Sequence, residues 1–449
     1  MKRKSESMDM VHGPLLKNLL IFSAPLMASY LLQIAFNAAD TIVVGKFSGA
    51  DALAAVGATG PLVNLLVALF NGLATGANIV IANMIGRKDH RNLSSAVHTS
   101  YFLALVGGLI LTAAGVFISN PLLWAIGTPE NIIDQSTLYM RIYFAGSIPL
   151  LVYSFGSAIL RSKGDTARPT LYLAVSGVLN IILNLFTVIQ LHMGVAGVAI
   201  ATVISETVSA VMVTIALVRE TDDTHLVFSE ISMDPMIFQR IMKIGIPAGI
   251  QGMMWSISNI AVQTAMNTFG SITVAGNSAA LNLEGFVYVA MDAFNNACIT
   301  FTSQAAGAKD MKQVRRVMHV TLILMTGSSA AAGLLVSGFG NQLLSLYTND
   351  PDVISAGMVR LHYVVLWLWI NAALDIPAAS MRGIGYSNTP TLVMMIGIVA
   401  VRVFYILTIW RAYPTLEVLY LCFPISWVIT AIAMFLIWPK LFRKLCREY

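Results

Sequence analysis

From residue 17 to residue 438, apolar runs of about 20 residues or more alternate with short polar stretches. A run of that length crosses the hydrocarbon core of a bilayer as a helix. The pattern predicts twelve helices, over 17–44, 52–82, 94–118, 135–159, 168–191, 194–218, 239–267, 274–305, 314–338, 358–380, 389–411 and 414–438. Turn-forming clusters separate them, among them SNPLLWAIGTPEN (119–131), HMGVAG (192–197) and TNDPD (348–352). Pro25, Pro149, Pro247 and Pro377 fall inside predicted helices, where each permits a bend.

Composition turns this pattern into a class. Of 449 residues, 57% are hydrophobic and 11% charged, against about a quarter charged in a soluble globular chain. The chain reads as an all-α, multi-pass membrane protein. The basic start MKRKSESMDMVHGP leads into an apolar run too long for a signal-peptide core, so the first helix is expected to be retained.

The basic residues set the orientation. Lys2, Arg3, Lys4 and Lys17 precede the first helix, and Arg87, Lys88 and Arg91 follow the second. Arg161, Lys163 and Arg168 follow the fourth, while Arg219, Arg240 and Lys243 flank the link after the sixth. Lys309, Lys312, Arg315 and Arg316 follow the eighth, Arg382 the tenth, and Lys440, Arg443, Lys444 and Arg447 the twelfth. The opposite side holds Lys46, Arg141, Arg360 and Arg411, with Arg402 inside a helix. This bias predicts both termini in the cytosol. The net charge of +5 is therefore a topology signal; without a contiguous basic face, no nucleic-acid partner is expected.

The chain also repeats itself. RSKGDTARPTL (161–171) and RGIGYSNTPTL (382–392) share five residues, and GRKDHR (86–91) matches GAKDMK (307–312) at the same offset. Pro25 and Pro247 match one residue out. Two six-helix halves follow, 1–228 and 229–449, joined by RETDDTHLVFSEISMD (219–234). Six helices per half make the repeats parallel, an arrangement in which transporters bind substrate between lobes and rock one against the other. A duplicated membrane scaffold or enzyme without transport is the alternative.

Few polar groups interrupt the apolar runs. Asp40, in FNAADTIVVG, sits deep in the first helix with Asn37 one turn earlier. Asn180 and Asn184 share a face of the fifth helix, and Thr202 lies on the sixth at overlapping depth. A carboxylate with amide and hydroxyl oxygens suits a hard monovalent cation, and a desolvated carboxyl equally suits a proton. Asparagines alone more often serve as glue between helices; a carboxyl within a membrane is by default a functional candidate. The matching positions in the second half are Val401 and Tyr405, so the cluster belongs to one half. That half instead carries Glu284 and Asp292, about two turns apart on the eighth helix, and Asp375 on the tenth. Pairing with Arg382 or Arg402 is the structural alternative for these acids. Glu206 on the sixth helix is either an ion-pair partner or part of a central cavity.

Other chemistries lack a motif. There is no GxxxxGK[ST] loop, no HExxH and no C-x-x-C, and the seven histidines are dispersed. No enzyme and no cofactor are expected. Cys298 and Cys422 lie in apolar runs and read as packing residues, with Cys446 near the end. Twenty-three methionines suit a plastic binding surface.

Three longer segments, PLMASYLLQIAFNAADTIVVGKFSGADALAAVG (25–57), LRSKGDTARPTLYLAVSGVLNIILNLF (160–186) and MGVAGVAIATVISE (193–206), resemble the multidrug and toxic compound extrusion (MATE) family, in its DinF-like or NorM-like branch. The resemblance covers nearly the whole chain. It implies a V-shaped, twelve-helix rocker-switch exporter of cationic or amphipathic drugs, exchanging them for protons or sodium ions. It further implies a monomer in a bacterial-type inner membrane, in contact with lipid. The family's cation site falls on Asp40, Asn180, Asn184 and Thr202, which would hold sodium if sodium is the ion. Asp375 is similar to an acidic position of some NorM-like members. A lipid-linked oligosaccharide flippase of the wider superfamily is the runner-up; such proteins usually carry a cationic cavity, whereas the interior polar set here is mostly acidic or amide.

Overall fold

The computed structural model describes residues 8–448, so Lys2, Arg3 and Lys4, counted above for orientation, lie outside the described residues. Each predicted apolar run becomes part of a helix. These are α1 (Leu15–Phe47), α2 (Ala50–Arg87), α3 (His90–Ala125), α4 (Glu130–Ala145 and Ser147–Ser162) and α5 (Ala167–Gln190). Then follow α6 (Gly194–Val218), α7 (Pro235–Asn267), α8 (Ser271–Gly307), α9 (Met311–Gly338), α10 (Pro351–Gly383), α11 (Asn388–Trp410) and α12 (Leu416–Glu448). No strand occurs among the described residues.

Nine of these helices contain an apolar window long enough to cross a membrane, or ten with the bent α4. The remaining two, α7 and α8, are diluted by Gln251, Asn259, Gln263, Asn277 and Asn295, which line a cavity described below. The two segments of α4 meet at 49°. Pro149 has no N–H for the carbonyl of Ala145, so the first segment stops there and a second starts at Ser147. The stretch SNPLLWAIGTPEN is mostly helical rather than a turn. Pro121 is absorbed into α3, and only residues 126–129 leave the helix.

The repeat is written into the backbone. Gly49 and Gly270 have φ of +89° and +88°, Lys88 and Lys309 +57° and +60°, and Gly164 and Gly385 +99° and +94°. Each pair is 221 residues apart (309 − 88, for example). At the same offset, Asp89 and Asp310 cap α3 and α9 by accepting from the N–H of Asn92 and of Gln313. Left-handed glycines at one set of turns, and left-handed lysines followed by aspartate caps at another, start corresponding helices in both halves. A wide π-helical turn also recurs, over Phe186–Gln190 in α5 and Ile406–Trp410 in α11.

Two compact units result. One is Ala24–Gly249; the other joins Met10–Ser23 to residues 250–448. Their divisions fall inside α1 and α7, close to Pro25 and Pro247, and not in the linker at 228/229. Within the first unit, α2 and α7 meet backbone to backbone: a Cβ on Gly72 would lie 2.2 Å from the Gly249 nitrogen.

Charge holds the linker against that same unit. Lys163 is only 5% exposed, and its Nζ donates to Glu220 and Asp222 at 2.6 Å each and to Thr224 at 3.3 Å. Arg168 adds an ion pair to Glu220 at 2.6 Å, and the Val227 N–H donates to Nε2 of buried His98 at 3.0 Å. A buried ammonium needs such counter-charges, which explains why this polar segment is ordered on the protein. Burial alone would push the Asp222 carboxyl up, but the Lys163 ammonium and the Thr224 hydroxyl outweigh it and hold it below the usual range. A depressed folded value stabilises above the unfolded pKa of about 3.9 and is lost as pH falls through the lower one. In hydrogen exchange, amides 219–228 should stay protected at mildly acidic pH and be released only in strong acid. Asp222→Asn should weaken protection at neutral pH and erase most of the acid step; an unchanged profile would show that Asp222 does not hold the linker.

Candidate cation site and second-unit cavity

In the first unit, Asn180 and Asn184 stand one turn apart on α5 and point the same way. Asn184 Nδ2 donates to Asp40 Oδ1 and to Asn180 Oδ1, the latter at 3.1 Å. Asn180 Nδ2 donates to Thr202 Oγ1 at 3.3 Å, and that hydroxyl donates to the Val198 carbonyl at 3.0 Å. Side chains from α1, α5 and α6 thus form one bonded chain. Asn184 is fully buried and Asn180 6% exposed, while Asp40 and Thr202 are half-buried.

Local sequence explains the approach. Gly177 on α5 has no side chain, and a Cβ there would lie 1.8 Å from Phe36 Cε2. The Phe36 ring therefore lies over Gly177, one turn before Asp40, and draws α1 against α5. Just past Asn184, α5 opens into its π-helical turn, a feature frequent at functional sites. Val43, Val44, Ala52, Ala55, Ile132, Val188, Val195 and Val198 pack together beside the cluster, with Tyr139 against them. This apolar cluster shields one end of the site and strengthens any ion–oxygen interaction within it.

The hydrogen bonds leave acceptors over. Both N–H groups of Asn184 point at oxygens, while its own buried Oδ1 has no protein partner. That oxygen, the Asp40 carboxyl and Thr202 Oγ1 make a compact oxygen set that fits a proton or a small monovalent cation.

Two expected residues stand apart. Asn37 is exposed, and only its main-chain carbonyl is engaged, by Thr41 Oγ1 at 2.8 Å. Glu206 lies one turn beyond Thr202 on α6, in the first unit, and is not among the residues that line the second-unit cavity; its Oε2 is buried with no hydrogen-bond partner. Sequence reasoning missed Tyr139, whose phenol lies within electrostatic reach of both Asp40 and Glu206. It stacks on Tyr143 at 6.3 Å, and that pair of aromatic residues four apart was the available signal.

Among the described residues, the second unit has no such cluster. Arg402, beside Val401, is fully buried; it donates to Ser426 at 3.0 Å and Ser258 at 3.3 Å, and sits 4.3 Å from the Phe423 ring centre. What this unit offers is a cavity of about 520 Å³ between α7, α8, α10 and Phe423 of α12. Glu284, Asp292 and Asp375 all line it, so the two acids of α8 do share a face.

The pairing of Glu284 corrects the sequence reading. Its partner is neither Arg382 nor Arg402 but Arg360, whose Nε and Nη2 reach Glu284 Oε2 at 2.8 and 2.7 Å. Arg360 Nη1 also donates to Asn277 Oδ1 at 2.9 Å, and the guanidinium lies against the rings of Tyr420 and Phe423. Arg360 and Arg382, assigned above to opposite membrane faces, are both buried inside α10. The helix starts at Pro351 and ends at Gly383, longer at both ends than its apolar run. Asp292 and Asp375 have no ion pair among the described residues.

Twelve helices in two parallel repeats, one repeat carrying a polar cation-type cluster and the other a polar cavity, define a multi-pass membrane transporter. The MatE family model matches residues 25–186 and again 247–407, once in each repeat, and the chain belongs to that family. It is 28% identical to the "Probable multidrug resistance protein YoeA" of Bacillus subtilis over 89% of this chain and 90% of that protein. It is 25% identical to the "Probable multidrug resistance protein NorM" of Thermotoga maritima, covering 86% and 84%. Among solved structures, a MOP superfamily transporter from Pyrococcus furiosus shares the fold with a TM-score of 0.92 at 22% identity, over 99% of both chains.

Proposed function

We propose that this chain is a secondary active exporter of cationic or amphipathic small molecules, driven by the antiport of protons or sodium ions. The observation that carries this reading is the bonded set Asp40–Asn184–Asn180–Thr202, with an unmatched buried oxygen on Asn184, in one repeat only. The cargo class follows from the relatives' names and from the acids and rings that line the second-unit cavity. Relatives named for multidrug resistance favour this over the oligosaccharide flippase.

In the cycle, an external ion binds among the Asp40, Asn184 and Thr202 oxygens. It binds the two conformations of the transporter unequally and so biases the rocker-switch toward cargo release outside. Release of the ion inward resets the site. No cofactor besides the ion takes part. The protein acts as a monomer in a bacterial-type inner membrane with both termini in the cytosol.

The test imposes each gradient separately. In proteoliposomes carrying ethidium on the side matching the cytosol, a sodium or a proton gradient of opposite direction should drive uphill dye movement, and its collapse should stop it. Dye movement indifferent to both gradients, or lipid translocation without dye movement, would refute antiport.

A further inference from the structure

We propose that one end of the second unit is a docking face for anionic phospholipid. Two basic stripes, on α9 and α12, hold the headgroup, and the apolar surface that continues them takes the acyl chains. This goes beyond the export reading and does not depend on it.

On α12, Lys440, Arg443, Lys444 and Arg447 follow the spacing i, i+3, i+4, i+7, so they share one helix face. On α9, Lys312, Arg315, Arg316 and His319 repeat that spacing. All of these side chains are exposed. Among the described residues, none of the lysines and arginines in the two stripes pairs with a carboxylate. Asp310, at the start of α9, is turned to the N–H of Gln313 instead.

The two helix ends are neighbours. Val314 of α9 and Phe442 of α12 pack in one apolar cluster with Ala305 and Ala306 of α8. The His319 and Trp438 rings meet edge to face at 6.3 Å. Val314 and Phe442 each lie nearly opposite the stripe of their own helix, so both basic faces turn outward from a shared core. Gln313 Nε2 donates to the Met10 carbonyl at 3.4 Å, which brings the start of α1 to the same end.

Both stripes run on into apolar surface. Leu436, one turn before Lys440, and Ile432, a turn earlier, share that face and are 62% and 57% exposed. Ile323, one turn after His319, is 71% exposed. A bound molecule meets hydrocarbon and then positive charge along one line, the order of a phospholipid and not of a soluble anion. Clusters of about four to eight basic residues at the cytosolic end of a spanning helix attract anionic headgroups.

The first repeat carries a covered version of this face. The α9 stripe corresponds to Arg91, Ser94, Ser95 and His98 on α3, 221 residues earlier (319 − 98, for example). There the linker lies across it. The Val227 N–H donates to His98 Nε2 and the Asp234 N–H to Thr99 Oγ1, each at 3.0 Å, and Glu230 stands 3.9 Å from His98. That linker, 219–234, carries five acids and one arginine. The second repeat replaces Ser94 and Ser95 by Arg315 and Arg316 and leaves the face exposed. An acidic segment of the chain covers one repeat; a lipid headgroup supplies the anion for the other.

The test titrates the purified full chain with phosphatidylglycerol and phosphatidylcholine of identical acyl chains, of which only the first is net negative. Bound lipid is counted by native mass spectrometry. Phosphatidylglycerol should bind about tenfold or more tightly, because each basic side chain at the interface contributes a factor of about five. The preference should shrink as salt is raised from about 0.05 to 0.5 M. Replacing Lys440, Arg443, Lys444 and Arg447 together by Gln should remove about tenfold or more of the phosphatidylglycerol affinity and leave phosphatidylcholine unchanged. Lys46→Gln/Arg411→Gln, at the far ends of α1 and α11, should change neither. The wild-type comparison needs no variant, so it stands even if a variant folds poorly. Equal binding of the two lipids, or equal loss in both multiple variants, would overturn the proposal. So would displacement of the lipid by equimolar inorganic phosphate, which makes the face a soluble-anion site. Binding of poly-glutamate with no preference between the lipids would overturn it too, and would give the face to an acidic protein.

Discussion

Asp40→Asn should abolish gradient-driven efflux while leaving the protein folded. The two side chains have nearly the same shape, and a carboxamide at position 40 can still present an oxygen to the Asn184 Nδ2–H that now bonds Asp40. What disappears is the negative charge and the site for a proton. Asn184 Oδ1 and Thr202 Oγ1 remain, but neutral oxygens alone hold a monovalent cation weakly in a shielded pocket. Loss of about 3 kcal/mol of ion affinity corresponds to roughly a 100-fold fall in occupancy, and the initial rate of ethidium efflux should fall at least as far. The thermal unfolding midpoint should move little, and ethidium should still bind in the absence of a gradient. Full efflux by the variant would sink the coupling role of Asp40. Loss of efflux together with loss of the folded protein would mean that the carboxylate holds α1 to α5, a structural role.

The one-sidedness of this site bears on coupling. The backbone repeat is close enough that turns and caps recur at a fixed offset, yet Asn180 and Asn184 correspond to Val401 and Tyr405. In the proposed cycle the ion would bias one repeat, leaving the other repeat free to specialise in cargo. Such a division lets the cavity of the second unit diverge in polarity without disturbing the ion site.

Much of this was legible from residue order. The apolar runs located twelve helices because a bilayer demands continuous helical hydrogen bonding and an apolar exterior. Asn180 and Asn184 met Asp40 because four-residue spacing and matching helix depth leave them little choice. Reading failed where a charge was taken as the end of a span. Arg360 and Arg382 looked like loop residues because an isolated arginine in hydrocarbon is prohibitive. Both are tolerated because partners from other helices, Glu284 and Gln251, reach them; such pairing across more than 70 residues leaves no periodic signal. Asn37 failed in the opposite sense. It shares a helix face with Asp40 in the one-turn approximation, yet its side chain lies exposed, away from α5.

Glu284→Leu should be among the most destabilising single changes in the second unit. It strands the Arg360 guanidinium at 4% exposure with one remaining neutral acceptor, Asn277 Oδ1, and the rings of Tyr420 and Phe423. Removing one partner of a buried pair typically costs about 3–5 kcal/mol, because the other charge stays buried without compensation. Arg360→Met should cost less: a stranded carboxyl can neutralise itself with a proton, whereas a stranded guanidinium cannot. The double variant Glu284→Leu/Arg360→Met should return to within about 1–2 kcal/mol of wild type, since an apolar pair of similar volume removes both desolvation penalties. Cys298 and Cys422 are fully buried and report unfolding through a thiol-reactive dye, once exposed Cys446 is replaced by serine. If the double variant unfolds as early as Glu284→Leu, the pair is not the source of the loss. If it is stable but no longer exports ethidium, Glu284 serves the cavity as well as the fold. Stability and transport then separate at a single ion pair, which shows how the second unit can carry a charged lining without unfolding around it.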